Sequence, residues 1–370
     1  GDPALQLIFP PYHITTVEIN NTPVADQTDT IKALSHNTLV AQITDSKGNV
    51  ITDFNGTAFI TVYDKEITRQ TLGNDGNTPF EFSEYANILF SGRATVKNGL
   101  FQISFVVPQD IRYNFDQGRI SYYALADDNR EAFGAFSDIV VGGISENIDT
   151  DTTGPEIQMY LNHSQFKDGD QTTSRPMLYA RLFDESGINT SGIGIGHDIT
   201  LVIDEDINNP VILNDYFTAD IDDYKSGMIE YQVTELDEGV HTLTLKVWDN
   251  YNNSSSSTLQ FKVSKNHGIN GHNIKLYPNP VKPGDDVYVT LTTDIPNDLL
   301  SVTIQFFNAA GQITGTTKDE LITDGNTVGP FKLPIEQSGW NYNGVCMIRI
   351  LIESYNGKRD EVVGKLVAVP

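Results

Sequence analysis

The sequence predicts an all-β chain folded as three tandem β-sandwiches, on three observations. Short alternating runs rich in Val, Ile, Thr, Tyr and Phe recur between clusters of Gly, Asn, Asp and Pro, and helix signals are nearly absent. The length of 370 residues exceeds what one hydrophobic core supports and suits domains of about 100 to 150 residues. Two polar stretches without period, residues 142–155 and 264–273, interrupt the alternation and read as linkers. The expected domains are therefore residues 1–146, 147–269 and 270–370.

In the first segment, Thr38-Leu39-Val40-Ala41-Gln42-Ile43 alternates, and so does Gly56-Thr57-Ala58-Phe59-Ile60-Thr61-Val62-Tyr63 after the polar run Asp45-Ser46-Lys47-Gly48-Asn49. This pattern predicts two strands flanking a polar connection. Further strands are expected over 88–95, 100–107, 118–126 and 137–141, with Lys97-Asn98-Gly99 as a hairpin turn. Pro108 ends the run after 107 because proline cannot donate to a ladder.

The second segment predicts strands over 156–161, 177–183, 199–203, 228–233, 241–248 and 258–263. The run Asp249-Asn250-Tyr251-Asn252-Asn253-Ser254 is a turn rich in side chains that bond their own backbone. Some seven short strands with such turns are the pattern of an immunoglobulin-like sandwich, the expectation for the first two segments. The third opens Ile274-Lys275-Leu276-Tyr277-Pro278-Asn279-Pro280, with strands expected over 287–292, 301–308, 329–333, 344–352 and 360–369.

Acidic residues number 49 against 24 basic, a net charge of −25 that repels phosphate backbones and argues against nucleic acid as a partner. Residues 147–269 carry most of it, with 20 acidic and 7 basic side chains. Such a surface attracts a basic protein, holds Ca²⁺ through oxygen ligands, or simply keeps the chain soluble. Cys346 is the only cysteine, so no disulfide forms within the chain. No run of about 18 apolar residues occurs, and the start, Gly1-Asp2-Pro3-Ala4, lacks the basic and apolar regions of a signal peptide. That abrupt start reads as a beginning inside a longer protein.

Catalytic chemistry finds no foothold. Cys346 lies in the alternating Val345-Cys346-Met347-Ile348-Arg349-Ile350, where a small buried residue is expected rather than an exposed thiolate. No G-x-S-x-G elbow is present, and Ser186-Gly187 reads as a turn. The histidines, at 13, 36, 163, 197, 241, 267 and 272, show no zinc spacing; His267 and His272 lack Cys or carboxylate companions. The run Gly192-Ile193-Gly194-Ile195-Gly196 lacks the strand-to-helix context of a phosphate cradle and reads as a tight loop. No catalytic residue is assigned. Calcium is the one cofactor entertained, through loop carboxylates Asp149, Asp151, Asp184 and Asp249; none fits the D-x-[DN]-x-[DN]-G loop, and solvated turn carboxylates are the plainer account. Trp248 is expected in the core rather than as a binding platform.

Several motifs carry a resemblance. Gly1-Asp2-Pro3-Ala4-Leu5 resembles the segment closing the catalytic domain of gingipain-type cysteine peptidases. Thr52-Asp53-Phe54-Asn55-Gly56-Thr57, Phe105-Val106-Val107-Pro108-Gln109-Asp110-Ile111, Gly118-Arg119-Ile120-Ser121-Tyr122-Tyr123-Ala124, Gly194-Ile195-Gly196-His197-Asp198 and Trp248-Asp249-Asn250-Tyr251-Asn252-Asn253-Ser254 follow in order. Together they resemble the post-catalytic region of the sortase-like peptidases of the type IX secretion system, over nearly the whole chain. Tyr277-Pro278-Asn279-Pro280, the Gly311 turn, Gly344 and Lys365-Leu366 are similar to that route's C-terminal sorting domain. The usual G-x-Y before the penultimate strand is here Gly344-Val345-Cys346, without the aromatic.

The resemblance implies a non-catalytic part of a surface peptidase of a Bacteroidetes-type bacterium, at the extracellular face of the outer membrane. It implies two partners, the catalytic domain of the same polypeptide, preceding Gly1, and an outer-membrane β-barrel protein that binds the third, sorting-type sandwich. The rival expectation is a free-standing adhesin or glycan-binding module of tandem immunoglobulin-like domains.

Overall fold

The computed structural model describes residues 10–26, 30–74, 76–148, 150–264, 271–293, 299–308, 310–323, 326–340, 344–354 and 358–368. The described chain is all-β, with strands in six sheets and two single-turn 3₁₀ segments. Among the described residues no helix is long and apolar enough to cross a membrane. The chain divides into two compact units, one of residues 1–158, 180–230 and 244–257, the other of residues 159–179, 231–243 and 258–370.

The first eleven strands are β1 (Tyr12–Ile19), β2 (Thr22–Pro23), β3 (Thr30–Ala33), β4 (His36–Thr44), β5 (Gly56–Tyr63), β6 (Ile67–Gln70), β7 (Glu81–Glu84), β8 (Ile88–Val96), β9 (Leu100–Val106), β10 (Asp116–Ala126) and β11 (Glu131–Ile144). Nine form one sheet, in the order β8-β5-β10-β11-β1-β4-β9 with β2 on β1 and β3 on β11, while β6 and β7 pair separately. The alternation read from sequence sets the two faces: Ala58, Ile60 and Val62 of β5 are buried and join Leu39, Ala41 and Ile43 of β4 in one core. Phe90 and Phe105 stack there at 4.7 Å, and the buried Tyr122 hydroxyl meets Thr16 Oγ1 at 2.8 Å.

The turn expected at Lys97-Asn98-Gly99 joins β8 to β9, with φ of 52° at Asn98 and 74° at Gly99, the two left-handed residues that a twisted hairpin needs. The expectation of a linker from residue 142 needs correction, because β11 runs on to Ile144, held in parallel register against β3 at Ile144 and Ala33. Polar composition marked the end of the pattern, but a free neighbouring edge extended the strand.

Next come β12 (Glu156–Leu161), β13 (Gln171–Thr172), β14 (Met177–Phe183), β15 (Thr200–Ile203), β16 (Val211–Ile212), β17 (Phe217–Ala219), β18 (Ser226–Gln232), β19 (Gly239–Trp248) and β20 (Ser254–Val263). They form two sheets, β12-β14-β18-β17 and β13-β20-β19-β15-β16. The segment after β17 runs along the sheet edge at β8: Asp222 accepts from Thr95 N at 2.7 Å and Thr95 Oγ1 at 2.6 Å, and Arg93 donates twice to Ala219 O. An open strand edge invites foreign pairing, and this segment covers it.

The last strands are β21 (His272–Tyr277), β22 (Tyr288–Thr292), β23 (Leu299–Phe307), β24 (Ile313–Ile322), β25 (Thr327–Lys332), β26 (Val345–Ser354) and β27 (Arg359–Val367). Sheets β21-β22-β25 and β24-β23-β26-β27 enclose a core of Val289, Leu291, Ile304, Phe306, Ile348 and Ile350. Cys346 lies in that core, only 1% exposed, and burial pushes its thiol above the ordinary range.

Candidate functional site

Two places gather the residues that the sequence singled out. The first lies in the unit containing β1 to β11. Asp151, Asp184 and Asp249 offer carboxylate oxygens within 4.8 Å of one another, Asp184 and Asp249 being buried. Asp149, the fourth carboxylate of the expectation, lies outside the described residues. Asp184 opens the turn after β14, where its Oδ1 accepts from Ser186 N at 2.8 Å and Ser186 Oγ at 2.6 Å. Asp249 closes β19, and its oxygens accept from Tyr251 N, Asn253 N and Asn253 Nδ2. Asp151 caps its own loop through Thr153 N at 3.0 Å.

Burial pushes the Asp184 carboxyl up to about 6; hydrogen bonds from Ser186 oppose this, and the charges of Asp249 and Asp151 add to it. Burial likewise raises Asp249 against the hydrogen bonds from Asn253 and Tyr251. Asp151 works against partial burial too, yet the bonds from Thr153 and Ser186 outweigh it and hold its carboxyl below the usual range. Three acids this close carry excess negative charge that either a proton or a divalent cation would relieve. Oxygen ligands suit Ca²⁺, although Asp249 already commits both oxygens to loop donors.

The second place is one end of the sandwich formed by β21 to β27. Tyr277 ends β21 with its ring stacked on Tyr288 at 6.0 Å, and Pro278 and Pro280 each follow a cis peptide bond. Asn279 staples this segment to β27, donating from Nδ2 to Lys365 O at 2.7 Å and accepting from Val367 N at 3.0 Å. Leu366, between those two residues, is fully buried in the core. Gly344, at φ of 69°, accepts from Ala368 N at 3.0 Å. Gly311, at φ of 76°, closes the turn between β23 and β24 and lines an open apolar groove of about 520 Å³ with Phe307, Val345, Met347 and Val363. The motif residues thus gather around β26 and β27.

Sequence reasoning missed the groove, because outward residues of one sheet show no pattern distinct from a core face. Trp248, expected in the core, is half-buried and carries the His197 ring on one side, centroids 4.3 Å apart.

No protein-family model and no curated protein matches the chain. Among solved structures, dimeric latent PorU from Porphyromonas gingivalis is 31% identical with a TM-score of 0.46, across 100% of this chain and 35% of that one. This chain therefore spans about a third of that protein's length. A tetra-tandem repeat from the extending region of a large adhesion protein is 13% identical with a TM-score of 0.21, across 96% of this chain and 74% of that one. The FN1-FN3 domains of chicken CNTN1 are 8% identical with a TM-score of 0.26, across 97% and 99%.

Proposed function

We propose that this chain is the non-catalytic C-terminal region of a cell-surface, sortase-like cysteine peptidase of the type IX secretion system. In this reading the two immunoglobulin-like sandwiches support a catalytic domain, and residues 270–370 dock to an outer-membrane β-barrel protein. The observation that carries the docking half is the staple at Asn279, which holds Tyr277-Pro278-Asn279-Pro280 against Lys365 and Val367. It turns two motifs far apart in sequence into one surface. The ordered run of motifs along the chain supports the rest.

The test is capture of the purified chain by the purified barrel protein of the secretion system. Wild type is expected to bind, while Asn279→Ala and Met347→Glu, both at the surface and with unchanged circular dichroism, are expected to bind at least tenfold more weakly. No binding by wild type would remove the docking role, and full binding by both variants would move it to another face.

A second reading, a free-standing adhesin or glycan-binding module, is favoured by a row of side chains on one face of the nine-stranded sheet. Successive registers align Phe59, Tyr123, Phe133 and His13 across β5, β10, β11 and β1, with Phe59 and Tyr123 exposed. A glycan array separates the readings: binding lost in Tyr123→Ala would support the adhesin, and an empty array would remove it.

A further inference from the structure

Three motifs meet at one joint, all within one compact unit. They are the turn Pro108-Gln109-Asp110 after β9, the loop 192–197, and the turn 249–254. Gln109 N donates to Asn250 O at 2.9 Å, and Asn250 Nδ2 donates to Val106 O at 3.2 Å and Ser186 O at 2.8 Å. Asp110 Oδ1 accepts from Asn252 Nδ2 at 2.9 Å, and Asp110 Oδ2 lies 2.6 Å from His197 Nδ1. Ile193 packs against the first core. A Cβ at Gly194 would fall 2.2 Å from Asp110 Oδ2 and 2.7 Å from His197 Nδ1, so a larger residue there would push the pair aside.

We infer that His197 is a pH-dependent latch across this joint, tightening it when the imidazole takes a proton. Neutral His197 gives Asp110 a hydrogen bond already assisted by the carboxylate's charge; protonated, it adds an ion pair. The two side chains are 24% and 14% exposed, so water screens that pair only partly. Two charged groups face the ring: Asp110, and Lys246, whose Nζ lies 4.2 Å from the centre of the Trp248 ring that the imidazole also faces. Two further carboxylates are near in sequence: Asp249 follows Trp248, and Asp198 follows His197 and accepts from Asn214 Nδ2 at 3.1 Å.

A second histidine at the same joint serves as a built-in control. His36 Nε2 lies 3.0 Å from Tyr224 Oη, a partner that donates to a neutral imidazole and accepts from a charged one, so the hydrogen bond survives either way. The latch therefore resides in His197. Its charge change adds one partly exposed ion pair, a shift of up to roughly fivefold in the ratio of closed to open joint.

Single-molecule energy transfer on the full chain tests this, with dyes at Leu125→Cys and Ile207→Cys, both exposed, and the buried Cys346 unreactive. Between about pH 5.5 and about pH 8 the open population of wild type is expected to grow by up to roughly fivefold. His197→Gln keeps a donor for Asp110 but cannot be charged, so its population should be the same at both pH values. Asp110→Asn removes the charged partner and should abolish the response as well, whereas His36→Gln should keep it. A wild-type distribution indifferent to pH, or a response that survives in either His197→Gln or Asp110→Asn, would overturn the latch.

Discussion

Replacing Asp184 by Asn is expected to stabilise the chain at about pH 8 and to leave it unchanged at about pH 4. In the fold the Asp184 carboxyl is pushed up to about 6, whereas an unfolded chain leaves it near ~3.9. Each factor of ten in proton affinity is worth about 1.4 kcal/mol, so keeping the ionised form folded costs about 3 kcal/mol. The sign follows from proton uptake. Between ~4 and ~6 the folded state binds more protons than the unfolded one, so stability falls as pH rises through that window and the loss is complete above it. The amide oxygen of an asparagine at this position would still accept from Ser186 N and Oγ, although as weaker neutral bonds, which leaves an expected net gain of about 1–3 kcal/mol. The assay is thermal unfolding followed by Trp248 fluorescence in a Trp340→Phe background, where each kcal/mol moves the midpoint by about 2–4 °C for a compact unit of this size. A variant no more stable than wild type at pH 8, or equally stabilised at pH 4, would refute the reasoning. Titrating calcium in the same assay separates the two forms of relief: a higher midpoint in wild type but not in the variant assigns the cluster a cation, and no change leaves the proton alone.

Further outcomes follow from burial. Cys346, sealed in the core between β23 and β27 with a raised thiol pKa, should react with a thiol reagent only on unfolding; prompt modification of the native chain would contradict its placement. Asn250→Ala strips donors from two carbonyls, Val106 O and Ser186 O, and should cost about 1–3 kcal/mol, measured by denaturant unfolding of the same Trp248 transition. An effect below about 0.5 kcal/mol would mean that water replaces both bonds.

Much of the fold was legible because alternation is a local signal. The expected strands at 156–161 and 177–183 are β12 and β14 themselves, and the Lys97-Asn98-Gly99 turn holds the left-handed pair its residues favour. β24 was missed because Thr314-Gly315-Thr316-Thr317-Lys318-Asp319-Glu320 offers no apolar face, and it forms by pairing along β23. β1 escaped notice for a different reason: its alternation is diluted by Thr15 and Thr16, and its place is secured by β4 on one side and β11 on the other.

The sequence by itself determined that this chain is all-β and that acidic side chains outnumber basic ones. Only the tertiary structure decided which of those groups meet. Asp151, Asp184 and Asp249 close on one another, Asp110 finds His197, and Asn279 clasps Lys365, because strands distant in the chain become neighbours in space. A period of two residues tells each side chain which face to take; it holds no information about which strand lies alongside.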